Sequence, residues 1–572
     1  MRSQVVFWSL IVSLCAPAWV VDRTAGAQDI AKVPARERAG FEAIREVDLR
    51  ADLDFLTSDA LAGRMSLQPG DDAAAAWVAS EFAKAGLVPA ARDAAGKPSY
   101  LQAMDLIEYK PDRAATTATL KRGGGEVVWH APQVAGGYKD DVDLTAPVVF
   151  AGFGITAPEL GYDDYKGVDA KGKIVLVFDH EPQETDPRSI FNGTGNTRYA
   201  TSRVKLMIAQ AHGAVAVLMV PEPNRKHLTN AERSAKIGGG EATRLIPLPL
   251  QAIASEDDLH IPLVSIQDDV AAKLVETSGK TPSQLQSAID KDLTPQSRAL
   301  PDTSLTIHLK NLSRRTGTTY NVAGLLPGSD PRLAPETILI SGHHDHNGYS
   351  PRTAKDAGEA HGIDVWPGAD DNGSGTVGVV ELAQAFARNA ERPKRSILFI
   401  VFASEERGLF GSYYMAQHPL RPLATTRAMI NFDMIGRNET PSPQTDGLIE
   451  IPADTTNRLN LIGALYSPDY DRVVKEENKA IGLVLDDRFD HESALNIFFR
   501  SDQFPFVLHD VPAFWFFTGF HPDYHHTTDS AEKINYVKMT KILKLAYLTA
   551  WRFGDDPVGP RFVANPAVSA SH

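Results

Sequence analysis

The sequence predicts an α/β protein: a mixed, mostly parallel central sheet flanked by helices, with a β-rich module inserted ahead of its main part. Three observations predict it. At 572 residues the chain is too long for one simple domain. After about residue 300, near-continuous apolar runs alternate with segments of helical spacing. Between about 125 and 295, short β runs are separated by Gly- and Pro-rich turns.

In chain order, the first residues combine a positive Arg2, an apolar run from Val5 to Val21 and the small-residue stretch Ala25–Gly26–Ala27. They read as a signal peptide, residues 1–27, cleaved after Ala27. Residues 28–120 are the N-terminal part of the main domain, helical to about residue 115. There "DDAAAAWVASEFAKAGLVP" opens on Asp71 and Asp72, sets Val78 and Phe82 on one face, and stops at Gly86. Residues 121–298 form the inserted module, with strands expected in Ala146–Gly154, Gly172–Asp179, Gly213–Val220 and Ile261–Ile266. Residues 299–555 form the main domain, with strands in Thr337–Ser341, Ser396–Ser404, Ala428–Asp433 and Ala513–Gly519. "GTVGVVELAQAFARN" lies between the first two as a helix with Val379, Leu382 and Phe386 on one side. Residues 556–572 are expected as a flexible tail.

Charge and cysteine content exclude several classes. With 58 basic and 72 acidic residues the net charge is −14, so there is no basic footprint for nucleic acid and no polybasic membrane patch. Cys15 is the only cysteine and falls within the expected signal peptide. The mature chain then has no disulfide, thiolate site or cysteine nucleophile, and any metal must be held by His, Asp and Glu. The expected location is secreted or periplasmic in a bacterium, with no stable membrane association after signal cleavage.

Open α/β sheets bind ligands beyond the carboxyl ends of their strands. The first main-domain strand is followed by "GHHDH", and the next helix starts at "GADDNGSG". The second strand ends in "SEERGLFGS" and the third in "NFDMIG", and the fourth is followed by "GFHPDYHHTTD". One such cluster is commonplace on a surface. Five of them, each at a strand end or helix start, point to a metal site. Two neighbouring divalent ions need one shared carboxylate and about two private ligands each. A further carboxylate beside the ligands is needed to take a proton from water, and Glu405–Glu406 supplies one of each kind.

The motifs "GHHDH", "GADDNGSG", "ASEERGLFGS", "NFDMIG" and "DYHHTTD" together resemble the M28 family of co-catalytic di-zinc exopeptidases, in that family's order. The resemblance covers residues 300 to about 555. "LDFLTSDALAGR" and "VASEFAKAGLVP" resemble the family's N-terminal segment more loosely. "DYKGVDAKGKIVLV" makes the insert similar to a protease-associated domain.

The resemblance implies a zinc exopeptidase fold and two zinc ions per chain. One ion is held by His343, Asp371 and Asp433, and the other by Asp371, Glu406 and His525. It implies Glu405 as general base, Asp345 as the residue orienting His343, and Tyr524 as a hydrogen-bond donor to the tetrahedral intermediate. His526 rivals His525, because a slip of one residue exchanges them. His344 and His346 are expected in supporting or rim positions. Arg500 and Asp502 are candidates for substrate contact, with structural pairing as the alternative.

The function expected is removal of N-terminal residues from peptide substrates. A carboxypeptidase of the same family and a non-catalytic receptor-like relative are the alternatives. A one-zinc cyclase relative would not need the shared aspartate, and a plain metal-binding protein would not need Glu405. The oligomeric state is not encoded legibly.

Overall fold

The computed structural model describes residues 33–193, 195–225, 247–255, 258–351, 362–492 and 495–564. The segment expected as a signal peptide, residues 1–27, lies outside them. The ten-stranded central sheet is built from β1 (Leu101–Pro111), β2 (Leu250–Ile253), β3 (Asn311–Leu326), β4 (Thr337–His343), β5 (Ser396–Phe402), β6 (Thr426–Phe432), β7 (Arg458–Ile462), β8 (Val484–Asp486) and β9 (Ala513–Phe517), with the short strand Val88–Pro89 added on β3. Its order is β2-β1-β3-β5-β4-β6-β9-β7-β8. The strands β5, β4, β6 and β9 pair in parallel. Antiparallel pairs flank them, β2–β1–β3–β5 on one side and β9–β7 on the other. The sheet is therefore mixed, and the mostly parallel arrangement describes its centre.

The apolar runs follow from burial on both faces. In β5, Ile397, Phe399 and Val401 face a core shared with the helices α1 (Pro69–Lys84), α2 (Gly375–Ala387) and α3 (Tyr536–Asp555). Leu398, Ile400 and Phe402 face the opposite core. Successive side chains point to opposite faces, so both sets must be apolar. Helix α1 buries Val78 and Phe82 as its spacing predicts, and the chain turns away at Gly86, φ 73°. The helical reading of the N-terminal part ends at α1. Residues 101–111 form a strand instead, with Met104 and Leu106 buried on one face and Ile107 and Tyr109 on the other.

The inserted module is an eight-stranded sheet. Its order is Gly125–His130, Thr117–Arg122, Arg298–Leu309, Val142–Phe150, Ile174–Phe178, Ala216–Val220, Leu263–Ile266 and Val134–Gly136. Its apolar interior merges with the second face of the central sheet: Phe150, Leu176 and Leu218 belong to the same cluster as Ile400 and Phe402. Two further contacts tie the parts together. Strand β2 leaves the module to pair with β1, setting Gln251 opposite Glu108. On the far side Asn196 donates to Asn496 at 2.8 Å and Tyr466 donates to the Asn196 carbonyl at 3.2 Å.

Residues 557–563, expected as part of a flexible tail, are laid against the domain. Arg561 pairs with Asp469 at 2.7 Å, and Phe562 stacks on Tyr466 beneath Arg198. Residues 565–572 are outside the described set.

Candidate metal centre

The carboxyl ends of β4, β5 and β6 lie side by side because the strands are parallel and nearly in register: His343 is opposite Phe402, and Ser341 is opposite Asn431. His343 is the last residue of β4, Glu405 and Glu406 follow β5 by a short turn, and Asp433 directly follows β6. Asp371 comes from the turn before α2, and His525 from the loop after β9. Residues separated by nearly two hundred positions are thereby collected at one edge.

The buried His343 Nε2 is 3.6 Å from Asp371 Oδ1, 3.6 Å from Glu405 Oε2 and 3.7 Å from Asp433 Oδ1. His525 Nε2 lies 3.0 Å from Asp371 Oδ2 and 3.2 Å from Glu406 Oε2. The two oxygens of Asp371 thus face the two histidines. His525, rather than His526, turns toward the carboxylates. Two donor groups, His343–Glu405–Asp433 and His346–Asp371–Glu406, have ligand atoms within 4.8 Å of one another. The Nε2 atoms of His343, His346 and His525 are buried with no hydrogen-bond partner in the protein. Buried imidazole nitrogens normally find a partner; those of His343 and His525, left facing carboxylates without one, suit a cation held between them.

The electrostatics agree. Burial pushes the Glu405 carboxyl well above its usual range, and Asp433, Asp502 and Glu406 add to the shift, while His343 opposes it. Burial, with Glu406 next, raises Asp371 to about 7. Burial disfavours the His525 cation, but Glu406 and Asp371 outweigh it and raise the imidazole to about 10. Clustered carboxylates in a dry site resist ionising together, and a bound cation relieves that cost.

Supporting contacts hold the donors. Asp345 lies 3.6 Å from His343 Nδ1, and its carboxylate also accepts the backbone N–H groups of Glu405 and Glu406 at 2.9 and 3.3 Å. His343 Nδ1 donates to the Asp345 backbone carbonyl at 3.2 Å, so the hydrogen bonds of the Asp345 carboxylate go to the glutamate pair. Ser501 donates to Asp433 Oδ2 at 2.6 Å, and Trp366 donates to the His525 carbonyl at 3.0 Å. His344 sits away from the donors, paired with Asp71 at 2.8 Å. His346 hydrogen-bonds Glu406 and is fully buried, so it is no rim residue.

Three further residues support the centre in roles that the motif pattern does not assign. Asp529 accepts the backbone N–H groups of Asp370 and Asp371 at 2.9 and 3.2 Å, fixing the turn that presents Asp371. His521, also buried, lies 3.2 Å from Asp370 Oδ2. Arg64 is buried and donates to four carbonyls: His344 at 2.8 Å, Leu56 at 2.6 Å, Pro367 at 2.8 Å and Gly368 at 3.0 Å. It thereby clamps the loop after β4 to the loop before Asp371. Asp529 closes "DYHHTTD" and Arg64 closes "LDFLTSDALAGR", but nothing in a one-dimensional motif shows which backbone groups they reach. Arg64→Met should leave the His344, Leu56 and Pro367 carbonyls without that donor, whereas Gly368 keeps the Gly373 N–H. Each unsatisfied buried acceptor costs about 1–3 kcal/mol, so urea unfolding should show a loss of at least ~3 kcal/mol. An unchanged midpoint and slope would reject the clamp.

A cleft of about 260 Å³ opens over the centre. Leu409, Met434, Trp515 and Phe520 form its apolar side, Tyr524 and Arg500 its polar side. Arg500 Nη2 is 3.5 Å from the Tyr524 hydroxyl. Asp502 does not line this cleft; it is fully buried, and burial raises its carboxyl to about 8. Of the two substrate-contact candidates, only Arg500 lines the cleft.

Residues 321–550 match the model of peptidase family M28, and residues 144–274 match that of the PA domain. A protein of Pyrenophora teres f. teres named "Probable zinc metalloprotease" is 34% identical over 158 residues, covering 26% of this chain and 31% of that protein. "Leupeptin-inactivating enzyme 1" of Streptomyces exfoliatus is 27% identical over 229 residues, covering 40% of this chain and 42% of that one. The chain thus spans about a third to two fifths of the length of these curated relatives. Among solved structures, an aminopeptidase from Aneurinibacillus sp. strain AM-1 aligns with a TM-score of 0.48 at 17% identity, covering 92% of this chain and 97% of that one.

Proposed function

Since the chain carries a peptidase family M28 domain with a PA domain before it, we propose that it is a di-zinc aminopeptidase that removes N-terminal residues from unblocked peptides. The observation that carries this reading is the pair of adjoining donor groups at the strand ends, with Asp371 facing both His343 and His525. The printed name of one relative, probable zinc metalloprotease, supports the metal and the peptidase activity.

In this reading His343, Asp371 and Asp433 hold one ion, and Asp371, Glu406 and His525 the other. When bound, the ions supply Lewis acidity toward a water and the scissile carbonyl. Glu405 takes the proton from the attacking water. Its raised proton affinity suits it to carry that proton and return it to the leaving amine. Tyr524, its hydroxyl held protonated by burial, donates to the developing oxyanion. Arg500 steadies that hydroxyl from the cleft side. Leu409, Met434, Trp515 and Phe520 favour an apolar side chain at the cleaved residue. Among the described residues no helix is long and apolar enough to cross a membrane. The N-terminal segment supports export, to the periplasm or the medium of a bacterium.

One observation favours a second reading. Arg500 Nη1 is a buried cationic donor with no hydrogen-bond partner beside the cleft, as a carboxypeptidase would need for the substrate carboxylate. Digestion of one peptide in free, N-acetylated and C-amidated forms separates the two. We expect the free and amidated forms to shorten from the N-terminus and the acetylated form to resist. An unpaired terminal charge buried in the site costs several kcal/mol, so the discrimination should be sharp. Ladders shortening from the C-terminus would overturn the aminopeptidase reading.

A further inference from the structure

The residue before Glu405 is held by a contact that the metal donors do not explain. Ser404 has φ 58°, a left-handed conformation that a non-glycine residue keeps only where its surroundings enforce it. Its hydroxyl donates to Gln251 Oε1 at 2.7 Å, and Ser66 Oγ donates to the same oxygen at 2.9 Å. The two hydroxyls lie 3.3 Å apart. All three side chains are buried. Gln251 Oε1 thus spends both acceptor sites on these hydroxyls, while Nε2 donates to Glu108 Oε2 at 3.4 Å across the β2–β1 pair. Gln251 belongs to the segment 144–274 that matches the PA domain. The next two peptide N–H groups, of Glu405 and Glu406, go to the Asp345 carboxylate. A rotation at Ser404 would pull both off that acceptor and swing the Glu405 carboxylate away from His343.

Resting on the aminopeptidase reading above, we infer that Gln251 is a positioning residue for the general base: the PA-matched segment supplies the carbonyl oxygen that locks Ser404 and so aims Glu405. The insert then completes the catalytic centre from behind, through one hydrogen-bonded triangle of Gln251, Ser404 and Ser66. It touches neither substrate nor metal donors to do so. Pairing of β2 with β1 is a backbone contact and survives a side-chain change at Gln251, so the lock can be removed without removing the strand.

The test uses Gln251→Met, Ser404→Ala and the double variant, each as full chain, with an unblocked leucine anilide as substrate. Loss of such a supporting contact commonly costs about 10- to 100-fold. We expect kcat to fall about 10-fold, with KM changed less than about twofold and the metal content of the wild type retained. The double variant should be no slower than the slower single one, because both remove the same contact. A crystal structure of Gln251→Met should show the Glu405 carboxylate displaced from its position 3.6 Å from His343 Nε2. A folded variant with unchanged kcat and Glu405 in place would overturn the inference. Loss of metal, or a rise in KM matching the fall in kcat, would reduce Gln251 to general support and also overturn it. If Gln251→Met fails to fold, Ser404→Ala, which leaves β2 untouched, decides between the same outcomes. If the wild-type chain cleaves no peptide, the aminopeptidase reading fails, and the crystallographic position of Glu405 alone decides the lock.

Discussion

Glu405→Gln is expected to keep the fold and the bound metal and to lose about two to four orders of magnitude in kcat. The substitution preserves shape and removes only the ability to take and return a proton. Two placements of Glu405 are at stake. Its carboxylate lies 3.6 Å from His343 Nε2, as close as that of Asp371, and it falls within one of the two donor groups. A ligand and a base thus look alike in the absence of the ions. Metal counting on the purified variant separates them. Retained metal with lost turnover marks a base, whereas lost metal marks a ligand. Glu406→Gln serves as the contrast, since Glu406 contacts both His346 and His525 and should release one ion first. Near-normal kcat in Glu405→Gln would remove the proton-transfer role outright.

Removing the metal should have an effect as large. Purified chain should hold about two zinc-class ions. Chelation should abolish hydrolysis, and zinc or cobalt should restore it. It should also lower Tm, because ions that bind only the folded state stabilise it by mass action. Asp371→Asn should reduce the ion count below that of any other single ligand variant. The reason is geometric: one carboxylate oxygen of Asp371 faces His343 and the other His525, at 3.6 and 3.0 Å. An amide offers one neutral acceptor in place of two carboxylate oxygens, so one position loses its ligand outright and the other keeps only a weaker one. A single tightly held ion in the wild type, unaffected by Asp371→Asn, would reject the shared site.

How much of the site is legible in the sequence depends on the range of the interaction. His343, Glu405, Glu406 and Asp433 stand at the ends of apolar runs whose length and continuity mark buried parallel strands, so their placement at one edge follows from the pattern. Between His525 and His526 the sequence alone does not choose. The loop after β9 holds His525 at φ 59°, and this turns one imidazole rather than its neighbour toward Asp371. For His346 the sequence suggests a supporting or rim position, because the histidines of "GHHDH" differ only in direction, and direction depends on the exit path of the chain from β4. The strand Leu101–Pro111 falls in a region whose composition suggests helix, and only its pairing with β3 and β2 settles its state.

By itself, then, the sequence determined the α/β character, the strand ends that carry metal-type residues, the restriction to a single cysteine, Cys15, and the resemblance to a zinc peptidase family. These are local properties, set by side-chain type, periodicity and spacing within a few residues. Tertiary structure decided which histidine faces the carboxylates and that Arg500 lines the cleft while the buried Asp502 does not. It also decided that Arg64, Asp529 and Gln251 hold the centre from 153 to 304 residues away. Those contacts depend on which backbone carbonyls, amides and hydroxyls are left unsatisfied once the sheets have packed, and a buried polar group takes whichever partner the folded chain brings within reach, however distant in sequence.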